Sequence, residues 1–126
     1  MTTFVLIPGA GGQAWYWHRV VAELVRRSHH AAAVDLPGSD PAAGLSEYRD
    51  LIVAAATQVG GPVTLVAQSL GGFSAPLACH HIDVERMILV NAMIPQPGET
   101  AGAWWDAVGW QTEARASALR DGRPEP

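Results

Sequence analysis

"LVAQSLGGF", residues 65–73, runs from apolar and β-branched residues into small ones, with Ser69 at the join. A buried strand that feeds straight into a helix needs a tight turn. The residue at its apex is held in an unfavourable backbone conformation that lifts its side chain clear of the sheet. Residues two before and two after the apex must be small, because their side chains approach each other. Those positions are Ala67 and Gly71, one methyl group away from the G-x-S-x-G pattern of a nucleophile elbow. The helix starting near Leu70 turns its free N–H groups and positive dipole end toward the hydroxyl, an arrangement suited to an oxyanion. A serine that only caps a helix needs neither the glycines behind it nor the small residue in front. Ser69 therefore reads as a nucleophile, and the N–H of Leu70 as an oxyanion donor.

Outward from this stretch, short apolar runs alternate with helical patterns. Phe4–Ile7, Ala31–Val34, Val63–Ala67 and Met87–Val90 are continuous apolar runs, as expected for strands buried on both faces of a parallel sheet. Trp17, Val20, Val21, Leu24 and Val25 recur at helical spacing, as do Leu51, Ile52, Ala55, Ala56 and Val59. A third helix is expected over Gly72–His80 despite Pro76, and a further helical segment over Ala103–Arg120. The alternation predicts an α/β fold, a doubly wound parallel sheet with right-handed crossovers and flanking helices.

Composition fits one domain. The 126 residues are 48% apolar and 16% charged, with a formal net charge of −4, which argues against nucleic acid or an anionic membrane as the main partner. All eight basic residues are scattered arginines. The single cysteine, Cys79, excludes an intrachain disulfide and is expected to be a buried small apolar residue. The opening "MTTFVLIPG" has no basic start, and its apolar run stops at Pro8, too short for a signal peptide or membrane span. A soluble, cytoplasmic protein is the default expectation, with no metal and no cofactor.

"IPGAGG", residues 7–12, closes the first strand. Attack on an acyl carbon creates a negative oxygen that needs two positioned donors; beside Leu70, the second is expected from the N–H of Ala10. Gly9, Gly11, Gln68 and Trp15 are the expected substrate-binding neighbours. A competing reading takes Gly9, Gly11 and Ala14 as a G-x-G-x-x-A dinucleotide fingerprint, with Asp35 on the ribose of an oxidoreductase cofactor. The "WYW" of residues 15–17 crowds the helix start where a pyrophosphate would need close approach, and "AQSLGG" is left without a purpose. Asp35 then more simply fixes the turn after the second strand.

"FVLIPGAGGQAWYW", "VDLPGSD", "LVAQSLGGFSAPL" and "ILVNAMIP", in this order, resemble the N-terminal half of an α/β-hydrolase, in its methylesterase and hydroxynitrile-lyase-like branch. The resemblance covers residues 3 to about 96. It implies Ser69 as nucleophile, the N–H groups of Ala10 and Leu70 as oxyanion hole, and a strand order of 2-1-3-4. Many members carry histidine where this chain has Pro8 and Gln68, which bears on pocket polarity more than on mechanism. By this likeness, residues 1–96 form part of a hydrolase core. Residues 97–120 are a loop and the start of a cap helix, or else a surface helix packing Trp104 and Trp105, and 121–126 a polar tail.

A seryl hydroxyl needs a base and a carboxylate to orient that base. In this fold they follow the serine in the order acid, then histidine. After Ser69 the histidines are His80 and His81, and every carboxylate comes later than both. His80, eleven positions on, would sit about 16 Å along the helix. His29 and His30 fall at the far end of the sheet, and His18 reads as a surface residue. The expectation is an incomplete α/β-hydrolase fold: a serine esterase acting on a small ester through an acyl-enzyme, its acid and base missing from these residues. A non-catalytic, hydrolase-like binding protein is the other reading. The apolar fourth strand would then be a sheet edge, and association through it is expected unless the tryptophan segment covers it.

Overall fold

The computed structural model describes Met1–Pro126. The chain forms two units, Met1–Ile94 and Pro95–Pro126. The first contains β1 (Thr3–Ile7), a 3-10 turn (Ala14–Trp17), α1 (His18–Arg26), β2 (His30–Ala33), α2 (Leu45–Val59), β3 (Val63–Gln68), α3 (Gly71–Ala78) and β4 (Val84–Val90). All pairings are parallel, and the strand order is β2-β1-β3-β4. The expected doubly wound sheet and its order are therefore observed.

Register decides which residues meet. Phe4 pairs with Thr64 and Ile7 with Ala67, so alternate side chains of β1 and β3 share a face. Val5, Ile7, Val63, Leu65 and Ala67 join Ile52, Ala56, Ala75 and Ala78 in the larger core, under α2 and α3. Leu6 and Val66 face the other way and pack with Trp17, Val21 and Leu24 under α1. The two central strands are buried on both sides, as their apolar runs predict. The outer two are not: β2 is partly exposed, and in β4 Ile88, Leu89 and Val90 are all exposed. A strand with one neighbour is only half covered, whatever its composition.

Local chemistry sets the helix ends. The Gly44 N–H donates to Oε2 of Glu47 at 2.7 Å, which closes the start of α2. On α1, Glu23 accepts from both Arg26 and Arg27, and these bonds draw its carboxyl down to a pKa of about 2. α3 ends at Ala78, short of the predicted His80, and Cys79 lies exposed beyond it. The expectation of a buried cysteine is thus corrected: the helix ends one residue earlier, and Cys79 is exposed at its C-terminal cap. Partial burial still pushes its thiol pKa up.

In the second unit the segment predicted as one helix is two, α4 (Ala101–Ala107) and α5 (Trp110–Asp121). Gly109 breaks them apart with a left-handed φ of 66°. Thr100 caps α4, its side chain accepting from the Ala103 N–H at 3.1 Å. Trp105 stands edge-on to both Trp104 and Trp110. Gly122 closes α5 in the left-handed region, and Arg123 bonds back to the Ala118 carbonyl, Ser117 and Asp121. The first residues of the predicted polar tail therefore belong to the helix cap.

Candidate active site

The turn between β3 and α3 has the geometry its sequence predicts. Ser69 adopts φ 52°, one of three non-glycine residues with positive φ. Its N–H donates to Val90 at 3.2 Å, and its carbonyl accepts from Gly72 at 3.1 Å and from Met93 at 2.9 Å. The strained residue is thus tied to the ends of β4 and α3. The small residues around it are required by space. A side chain on Gly71 would press at 3.3 Å on Ile7 and on the Pro8 carbonyl, and one on Gly72 would run into the Met93 carbonyl.

The loop after β1 faces this turn. A Cβ on Gly9 would lie 2.9 Å from the Ser69 Cβ and 2.6 Å from Oε1 of Gln68. Pro8, Gly9, Ala10, Gly11, Gln13, Trp15, Tyr16, Gln68 and Ser69 line a cavity of about 550 Å³. Of the predicted residues, Ser69, Ala10, Gly9, Gly11, Gln68 and Trp15 come together there. Leu70 does not line the wall; it follows Ser69 directly. The N–H groups of Ala10 and Leu70 are taken by no other group of the chain.

Gln13 and Tyr16 are lining residues that sequence reasoning missed, while Pro8 takes the place on the wall that the family likeness gave it. The usable signal was in "WYW": in a 3-10 turn three consecutive side chains fan out, so Trp15 and Tyr16 point to the cavity side while Trp17 enters the core. The histidines stay outside the cavity. His18 stacks on Trp15 with ring centroids 4.3 Å apart, and His29 accepts the Thr2 N–H at 3.0 Å through Nδ1. No histidine or carboxylate lines the wall, and no group of three or more potential metal ligands exists.

Asp35 has a structural partner. Its Oδ1 accepts the Ala14 N–H at 2.7 Å and holds the glycine-rich loop to the end of β2. This is the carboxylate the dinucleotide reading required for a ribose. Asp35→Ala should lower stability by about 1 kcal/mol, the net worth of one such bond. Asp35→Asn, which keeps an oxygen acceptor, should recover most of that loss in urea denaturation.

The α/β hydrolase family model matches residues 4–125. The chain belongs to that family. Among relatives of this α/β hydrolase is a probable esterase, PIR7A, from Oryza sativa subsp. indica, 38% identical over 110 residues. That match covers 79% of this chain and 42% of the esterase. Methyl jasmonate esterase 1 of Vitis vinifera is 31% identical over 105 residues, covering 75% of this chain and 40% of that protein. Among solved structures, a pyrethroid hydrolase from Sphingobium faniae superposes with a TM-score of 0.67 at 30% identity, over 79% of this chain and 43% of that one. The α/β hydrolase chain thus spans about two-fifths of the length of the curated relatives it matches. No helix is long and apolar enough to cross a membrane.

Proposed function

We propose that this chain carries the nucleophile and oxyanion hole of a serine esterase acting on a small ester. The single observation that carries the reading is Ser69 at φ 52° on the cavity wall, with unclaimed N–H groups on the loop residue Ala10 and on the next residue, Leu70. In this reading the Ser69 Oγ adds to the ester carbonyl carbon, and its proton passes to a base. The resulting oxyanion takes hydrogen bonds from Ala10 and Leu70. Collapse of the intermediate breaks the ester C–O bond as the base returns its proton to the leaving oxygen, which expels the alcohol and leaves an acyl group on Ser69. Water then adds to the acyl carbon, releasing the carboxylic acid and restoring the seryl hydroxyl.

The base and its carboxylate are assigned to groups other than the five histidines described above, none of which reaches the cavity. The names of the relatives, esterases in both plants, support the choice of an ester substrate. The preformed N–H pair alone can support residual catalysis, about 10³–10⁴ over water in enzymes stripped of their triad.

A fluorophosphonate probe incubated with the full chain should add its phosphonyl mass to the peptide containing Ser69, and Ser69→Ala should remove that adduct. Labelling that persists in Ser69→Ala would show that another residue is the nucleophile.

A further inference from the structure

The geometry points to Gln68 as the residue that sets substrate specificity, reading a neutral hydrogen-bonding group of the ester close to the reacting carbon. The inference rests on the esterase reading of this cavity and adds to it the chemistry of the substrate. Gln68 is the last residue of β3 and is partly buried on the cavity wall. Its Oε1 and the Ser69 Cβ both lie within 3 Å of one point, the place a side chain on Gly9 would occupy, at 2.6 and 2.9 Å. The carboxamide therefore borders the same small space as the seryl side chain. It is bonded to no other group of the chain, although an amide offers two donors and an acceptor. A partly buried amide without a partner rejects an apolar neighbour and accepts a polar one, because leaving it unpaired carries the full desolvation cost.

The remaining lining narrows the class. No arginine, histidine or carboxylate is present on the wall, and Gln13 supplies a second carboxamide. An anionic substituent would be desolvated without a counter-charge, and a cationic one likewise. Trp15 and Tyr16 are 71% and 55% exposed at the rim, offering aromatic faces to the hydrocarbon remainder of the substrate. The substrate is thus a neutral ester with one hydroxyl or carbonyl oxygen a few bonds from the reacting carbon and an apolar body beyond it.

Two probe esters of matched shape test this, methyl 3-hydroxybutanoate and methyl 3-methylbutanoate, titrated into the ¹⁵N-labelled full chain. The hydroxy ester should bind about tenfold more tightly, the ratio expected from one hydrogen bond of about 1.4 kcal/mol. It should also shift the Gln68 side-chain amide resonances, assigned by their absence in Gln68→Met. In Gln68→Met, and in the shorter Gln68→Asn, the two esters should bind alike, with backbone spectra that keep the fold. Ser69→Ala should retain the preference, since binding needs no nucleophile, so a failed Ser69 assignment and a failed Gln68 assignment give different results. Equal affinities in the unmodified chain, no binding of either ester, or a preference that survives Gln68→Met would each overturn the proposal.

Discussion

Replacing Ser69 with glycine is expected to abolish phosphonate labelling and, at the same time, to raise the melting temperature. Ser69 sits at φ 52°, where a Cβ crowds the backbone at a cost of roughly 1–2 kcal/mol. Glycine adopts that conformation freely but loses about 0.5–1 kcal/mol through its more flexible unfolded chain. The difference is a net gain of up to about 1.5 kcal/mol, or several degrees for a unit of this size. Labelling moves the other way. No histidine or carboxylate lines the cavity, so the chain starts near the residual level of enzymes stripped of their triad, about 10³–10⁴ over water. The clear loss expected of Ser69→Gly is the phosphonate adduct on residue 69. Ser69→Ala is the control, since it removes the hydroxyl and keeps the strain. Its melting temperature should stay near that of the parent. A Ser69→Gly protein that melts below Ser69→Ala would mean that the turn stores no strain.

A methyl group on Gly72 should be among the most damaging small changes in the first unit, beside one on Gly12. Alanine is favoured over glycine inside a helix by about 1 kcal/mol, so propensity alone predicts stabilisation. Space decides otherwise. The added Cβ would run into the Met93 carbonyl and approach the Ala92 Cβ at 3.1 Å. The nearest atoms are backbone, which cannot swing aside as a flexible side chain could. Relief requires α3 to move off the segment after β4, whose Met93 N–H also holds the Ser69 carbonyl at 2.9 Å. Gly72→Ala is therefore expected to lose about 2–3 kcal/mol in urea denaturation, and to slow phosphonate labelling of Ser69. Gly71→Ala meets its neighbours at 3.3 Å and should be milder. A stabilised Gly72→Ala would refute the close approach.

The central strands, their order and the serine turn were legible because each follows from local chemistry. Continuous apolar runs mark β1 and β3, and Ala67 and Gly71 mark the apex at Ser69. The edge position of β4 was legible only through the family likeness, since "MILV" by itself reads the same in a central strand and at an edge. Sequence patterns describe what a strand could bury, and neighbours decide what it does bury. The bond from Ala14 to Asp35 joins residues 21 positions apart and leaves no periodic trace. Gly109 did carry a signal for the break between α4 and α5, but the flanking tryptophans and alanines favoured an unbroken helix. Gln13 entered the cavity wall through the shape of the loop after β1, which composition does not encode, whereas Tyr16 carried a signal in its place within "WYW".

The parallel pairing of β1 with β3 places the two halves of the cavity on strands separated in the chain by β2 and the whole of α2. A chain emerging from the ribosome therefore displays the glycine-rich loop long before the serine turn exists. Closing so long an intervening segment is entropically slow compared with forming local helices. The pocket has no partly assembled form with half its chemistry. The unpaired N–H of Ala10 and the strained Ser69 come face to face only in a chain whose central sheet has already zipped together.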